Sequence, residues 1–179
     1  MTSAHIQKVR QRPLLFLDVD GPLIPFGSPA GPSSATAPAT ATTAPRDQGN
    51  PLLARLDPGI GRRLLSLGCH LVWATTWMEE ANEVVAPILG LPRLPVLDRP
   101  DTGPEEGPRG LHWKTRALVE RAEGRPFIWV DDEIGPMDHL WTDAAHPGPS
   151  LLHEVDPTRG LTDTDFVALA AWCRSIRPT

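Results

Sequence analysis

The chain has 179 residues with a formal net charge of −5, 40% hydrophobic and 22% charged. That size holds one ordinary domain and is too small for two independent cores of normal size, and the acid excess argues against a dedicated nucleic-acid binder, whose phosphate partners call for a basic face. Two widely spaced cysteines, Cys69 and Cys173, exclude a disulfide framework and a Cys-rich zinc site and suit a reducing cytoplasm.

The N-terminal segment carries Lys8, Arg10 and Arg12 ahead of Leu14-Leu15-Phe16-Leu17. Asp18 ends that apolar run well short of a secretory core, and no run approaches the ~18–20 residues of a membrane helix, so a cytoplasmic protein without a membrane segment is expected. Leu14–Val19 reads as a buried strand. From Gly27 to Asn50 the chain is Pro/Ala/Thr-rich with no large apolar residue, so a flexible surface loop is expected over about 27–50, inside a single domain spanning 1–179. Asp57 caps a predicted helix with Pro58 at its first position, Leu64 and Leu65 inward, and Gly68 as its stop. His70–Thr75 is the second strand, and Glu79–Leu89 a helix closed by Gly90. A Pro-rich stretch, Leu91 to Gly110, holds one candidate strand, Leu94 to Leu97. His112–Glu123 is an amphipathic helix with Trp113, Ala117 and Leu118 inward. Phe127–Asp131 and Leu151–Val155 are strands, and Thr162 caps a last helix, Asp163–Ile176. Strands alternating with helices predict an α/β fold with a mostly parallel, five-stranded sheet, whose ligands sit beyond the carboxyl ends of the strands.

At those ends stand Asp18-Val19-Asp20-Gly21 after the first strand, Thr75-Thr76 after the second and Asp131-Asp132-Glu133 after the fourth, with Lys114 on the preceding helix. Each piece alone has a plainer reading: a turn, a strand-end hydroxyl, a solvated lysine, a helix cap. Together they bring four carboxylates to one cleft. At an effective dielectric of ~20, two like charges 4 Å apart cost about 4 kcal/mol, and a hard cation with oxygen ligands relieves that repulsion; magnesium fits such a site.

These segments resemble the haloacid dehalogenase (HAD) superfamily: LLFLDVDG its first motif, LVWATT its second, Lys114 in LHWKTRAL its third, and FIWVDDE its fourth. More narrowly, VWATTWMEEAN, LHWKT, WVDDE and DPTRGLT resemble the HAD domains of Swiss Army Knife RNA repair proteins. The order of the motifs separates this family from phospho-receiver domains, whose acidic pair comes at the first strand and whose phosphorylated Asp comes later. The resemblance implies a Rossmann-like HAD core and a Mg2+-dependent phosphohydrolase working through an aspartyl-phosphate. In that scheme Asp18 is the nucleophile and a metal ligand. Asp20 is the general acid and base and lends its backbone carbonyl to the metal. Thr75, or Thr76 if the strand register slips by one, holds a phosphate oxygen, and Lys114 neutralises phosphate and Asp18. Asp132 is the fourth-motif carboxylate expected on the metal, with Asp131 acting through water or from behind.

Family members choose substrates with cap insertions, and neither insertion slot holds a foldable cap here: one has the 27–50 loop, the other a short Pro-rich link. A capless or minimally capped, open site is therefore expected, suited to a large phosphorylated substrate such as a nucleic acid with a 3′ or 5′ phosphate end, or a phosphoprotein. Trp77 and Trp113 flank motif residues and could stack a base, though cleft wall or core is the simpler reading. Arg109, His112, Arg116, Arg121 and Arg125 read as a solvated basic face. The alternatives are a catalytically idle HAD-fold binding or partner module, against which the full motif set speaks, and a dehalogenase, against which Asp20 and Asp132 speak.

Overall fold

The computed structural model describes residues 12–27, 51–99 and 109–176. Apart from Gly27, the loop expected at 27–50 lies outside the described residues, as do the N-terminal basic segment up to residue 11 and positions 100–108. Four strands, β1 (Leu14–Leu17), β2 (His70–Trp73), β3 (Phe127–Asp131) and β4 (Ser150–Glu154), form one parallel sheet in the order β2-β1-β3-β4. The helices are α1 (Pro58–Ser66), α2 (Ala86–Leu89, entered through a π-helical turn over Ala81–Val85), α3 (Trp113–Ala122), α4 (Pro136–Ala145) and α5 (Asp163–Ser175).

The expected five-stranded sheet is thus a four-stranded one. Leu94–Leu97 reaches the outer edge of β2 only as a single bridge, Trp73 to Val96. The Trp73 N–H donates to the Pro95 carbonyl at 2.8 Å and the Leu97 N–H donates to the Trp73 carbonyl at 2.7 Å. Pro95 has no N–H of its own to extend the pairing, and Pro92 stands just before it. Strands β1 and β2 also end two residues before the expected Val19 and Thr75.

Alternation along β1 sorts the core into two layers. Leu15 and Leu17 join Leu71, Trp73, Ile128 and Val130 on one face, covered by Leu64 of α1, Leu89 of α2, and Phe166, Leu169 and Cys173 of α5. Leu14 and Phe16 join Val72, Phe127 and Trp129 on the other, covered by Leu118 and Ala122 of α3. The two inner strands, β1 and β3, are buried throughout. Asp57 caps α1 by accepting the Gly59 N–H at 2.8 Å, and Thr162 and Asp165 form a reciprocal capping box at the start of α5. Asn82 ties three pieces together: its Oδ1 accepts the Trp73 indole at 3.0 Å and the Leu94 N–H at 2.8 Å, and its Nδ2 donates to the Leu94 carbonyl at 2.9 Å. The two cysteines, 104 positions apart, meet with Sγ atoms 3.5 Å from each other between the start of β2 and the last turn of α5. Among the described residues, no helix is long and apolar enough to cross a membrane.

His146, just past α4, is buried edge-on to Phe127 with ring centroids 4.7 Å apart. Its Nε2 pairs with the Arg125 carbonyl at 3.1 Å, while Nδ1 is buried with no hydrogen-bond partner among the described residues. Burial pushes its pKa below the ordinary histidine range, against the pull of the Arg125 carbonyl. The unfolded chain therefore takes up this proton first. The stability tied to His146 is complete above about pH 6.5 and is lost as pH falls through the lower folded value. Unfolding free energy measured in urea between pH 7.5 and 5 should fall more steeply for the native chain than for His146→Phe; equal slopes would show that His146 is not buried neutral.

Candidate functional site

Asp18, Lys114, Asp131 and Asp132 meet at the C-terminal edge of the sheet, on the side of α3. Position 18 continues the even-numbered register of Leu14 and Phe16, and Asp131 continues that of Phe127 and Trp129, so both point to the face that α3 covers. Lys114, in the first turn of α3, extends between them. Its ammonium lies 2.8 Å from Asp18 Oδ2 and 2.6 Å from Asp131 Oδ2, and the side chain is 2% exposed. A buried ammonium is tolerated only with such compensation; removing one partner of a buried pair typically costs 3–5 kcal/mol.

Each carboxylate has a distinct surrounding. Asp131 is fully buried: Oδ2 accepts from both Lys114 and the Trp129 indole at 2.9 Å, and Oδ1 accepts the Glu133 N–H at 3.0 Å. Asp18 accepts the Val19 N–H through Oδ1 at 2.8 Å. Burial raises its pKa to about 6, with Asp131 adding to the effect and Lys114 opposing it. Burial works to lower the Lys114 pKa, but Asp18 and Asp131 together outweigh it and the net shift is upward. Asp132 is only half-buried. Burial raises its pKa too, and Asp131 and Glu133 contribute in the same direction. Its carboxylate lies against Gly21, where an added Cβ would collide with Asp132 Cγ. Gly21 has φ +80°, so a side chain there would meet both a strained backbone and the Asp132 carboxylate.

Asp18, Asp131 and Asp132 each offer a carboxylate oxygen, all within 4.8 Å of one another. An all-oxygen donor set with an accumulation of negative charge suits a hard divalent cation such as Mg2+. A second grouping, His112, Asp131 and Glu133, has equally short spacing but a different explanation. His112 Nδ1 accepts the Lys114 N–H at 3.2 Å as the N-cap of α3, which leaves the ring proton on Nε2, facing Glu133 Oε2 at 3.4 Å. That nitrogen is a donor to a carboxylate rather than a metal ligand.

Thr75 is buried directly after β2, and its Oγ1 accepts the Trp77 N–H at 3.3 Å; Thr76 is exposed. Asp20 lies in the tight turn after β1, half-buried, and its Oδ2 accepts the Trp77 indole N–H at 2.9 Å. The Asp156–Thr162 loop after β4 braces that turn: the Phe26 N–H donates to the Pro157 carbonyl at 2.7 Å and the Leu161 N–H donates to the Pro22 carbonyl at 2.9 Å. Trp113 is partly exposed, with the Arg99 guanidinium 5.5 Å from its ring centroid. Arg109, Arg116 and Arg121 are exposed, while Arg125 donates to the Arg12 carbonyl at 2.7 Å.

One residue of this region has no sequence signal. Asp138, in the first turn of α4, is buried, and its carboxylate accepts the His112 N–H at 2.8 Å, the Thr115 hydroxyl at 2.5 Å and the Gly135 N–H at 2.8 Å. It thereby caps α3 and α4 together and fixes the helix that carries Lys114 against the turn that follows Asp131 and Asp132. Asp138→Ala would strand those donors, and an unsatisfied buried group costs about 1–3 kcal/mol. Urea unfolding should show Asp138→Ala destabilised by about 2–4 kcal/mol, with Asp138→Asn, which keeps one acceptor oxygen, in between. An Ala variant as stable as the native chain would remove Asp138 from this role.

No curated protein and no solved structure matched the chain. The family model described as the HAD domain in Swiss Army Knife RNA repair proteins matches residues 14–166. The match runs from the first residue of β1 into α5 and takes in every side chain gathered at this edge. The chain belongs to that family of HAD domains.

Proposed function

We propose that the protein is a Mg2+-dependent phosphohydrolase, active as one domain, that cleaves phosphomonoesters by way of an aspartyl-phosphate on Asp18. The observation that carries this reading is the array Asp18–Lys114–Asp131 with Asp132 beside it. A phosphoryl group arriving at Asp18 would meet the Lys114 ammonium on one side and the oxygen donor set on the other. Family membership supports the same chemistry.

Asp18 attacks phosphorus, which divides hydrolysis of an inert ester into two easier displacements. Lys114, bonded to Asp18, lies where negative charge must be offset as phosphate and carboxylate approach each other. Asp20 gives the leaving oxygen its proton and later takes one from water, a role worth about 10²–10⁴ in rate. Thr75 holds a phosphate oxygen; because its Oγ1 already accepts the Trp77 N–H, its hydroxyl proton remains to be donated. Asp131, saturated by Lys114, Trp129 and the Glu133 N–H, positions Lys114 from behind. Asp18 and Asp132 would hold the cation, with the Asp20 backbone carbonyl. Bound there, Mg2+ would offset charge on the phosphoryl group and on the carboxylates.

Among the described residues no helix or strand intervenes between β1 and the turn at Pro51–Arg55, and only the Val96 bridge falls between α2 and α3. The Pro/Ala/Thr-rich composition of 27–50, which offers no large apolar residue to build a cap, supports an open site and hence a large substrate. Together with the family, it favours a nucleic-acid end carrying a 3′ or 5′ phosphate. The test is a panel of phosphomonoesters, including oligonucleotides phosphorylated at either end, with and without Mg2+. Release of inorganic phosphate that requires Mg2+ is expected, and no release from any member would overturn the reading. In parallel, Mg2+ should raise the Tm of the native chain, because a ligand at 100-fold excess over Kd stabilises by about 2.7 kcal/mol. Asp132→Ala should lose most of that shift and Lys114→Ala should not. Equal Mg2+ shifts in the native chain and Asp132→Ala would remove Asp132 from the cation site.

A further inference from the structure

We propose that Trp77 is a positioning residue for proton transfer by Asp20: its indole N–H ties down one carboxylate oxygen and presents the other to the leaving group. The proposal rests on the phosphohydrolase reading and deepens it. Asp20 follows β1 in a turn that Gly21 makes at φ +80°. Its side chain is half-buried and, unlike Asp18, is not held by Lys114. Among the described residues, its side-chain contact is the Trp77 indole, 2.9 Å away and 57 positions along the chain.

Trp77 is well placed to impose an orientation. Its backbone N–H donates to Thr75 Oγ1, and its ring packs against the core layer that contains Leu17, Val19 and Ala81. The backbone is thus tied and the ring packed independently of Asp20, and the carboxylate that the indole binds inherits that order. An indole nitrogen donates and never accepts. Asp20 Oδ2 must therefore be the accepting oxygen, and the transferable proton belongs on Oδ1. Proton transfer needs a donor held at hydrogen-bond distance and in line with the leaving oxygen, and an unrestrained Asp would spread over several rotamers.

As an Asp18 oxygen bonds to phosphorus, the bond from phosphorus to the leaving oxygen breaks; that oxygen keeps the electron pair and takes the proton from Asp20 Oδ1. A water oxygen then bonds to phosphorus and gives a proton to Asp20 Oδ1, and the bond from phosphorus to Asp18 breaks. Alcohol and inorganic phosphate leave, and Asp20 is protonated again.

A group that acts through Asp20 has a signature that a packing residue lacks. An alkoxide leaving group needs the proton, whereas 2,4-dinitrophenolate departs readily without one. Trp77→Phe keeps an aromatic ring and deletes the N–H. Its kcat/KM, relative to the native chain, should fall at least about tenfold further on a terminally phosphorylated oligonucleotide than on 2,4-dinitrophenyl phosphate. Replacement of Trp77 by 3-benzothienylalanine, which keeps the bicyclic shape and lacks only the N–H, should do the same and separates this effect from any loss of packing. The contact also has a readout independent of turnover: the Trp77 indole N–H resonance, assigned by its disappearance in Trp77→Phe, should move in Asp20→Ala. Equal losses on both substrates in the benzothienyl variant, or an indole resonance indifferent to Asp20→Ala, would overturn the proposal. Failure of the native chain to release phosphate from any member of the phosphomonoester panel, 2,4-dinitrophenyl phosphate included, would instead overturn the phosphohydrolase reading beneath it.

Discussion

An ammonium withdrawn from water has to be met by negative charge, and at Lys114 that requirement organises one edge of the protein. Asp18 and Asp131 come from adjacent parallel strands, and Lys114 spans them from the helix laid over both. Two carboxylates and one ammonium leave an excess of negative charge, and Asp132 adds to it. The raised pKa values of Asp18 and Asp132 express that excess together with burial. The arrangement is electrically incomplete in a useful way: it invites a cation on one side and has an ammonium ready to face a phosphoryl group on the other.

The rest of the fold supplies the rigidity this array needs. Strand β1 is buried on both faces and paired along both edges, so Asp18 projects from a firmly anchored segment. Asp138 fixes the start of α3, and thereby Lys114, against the turn after β3. The loop after β4 braces the turn that holds Asp20 and Gly21. Gly21 leaves the space that the Asp132 carboxylate occupies, so the first and fourth motifs interlock. These contacts are hydrogen bonds and close approaches between segments far apart in sequence, joined only because the sheet aligns its strand ends.

That distinction separates what could be read from the sequence from what could not. The meeting of Asp18, Lys114 and Asp131 was legible because each sits at a fixed offset from a short apolar run or a helix start, and parity along the strand decides which face the two carboxylates take. The helix caps at Asp57 and Thr162 were legible for the same local reason. Asp138, Asn82 and the Trp77–Asp20 contact were not, since nothing near them in sequence marks their partners. The proximity of Cys69 and Cys173 is likewise a product of the α5 packing and not of spacing. Helix α4 carries only Asp138 and Thr142 into the interior, both polar, so no apolar stripe announces it. The missing fifth strand reflects Pro95, where an apolar run alone suggested a full pairing.

The central claim is that Asp18 carries the phosphoryl group during turnover. An acyl phosphate on aspartate is reduced by borohydride to homoserine, which mass spectrometry of the proteolysed chain locates by residue. Quenching the reaction during turnover of a phosphorylated substrate and reducing it should convert position 18, and no other aspartate, to homoserine. Turnover with Asp18 recovered intact, or conversion at Asp20, Asp131 or Asp132 in its place, would contradict the account.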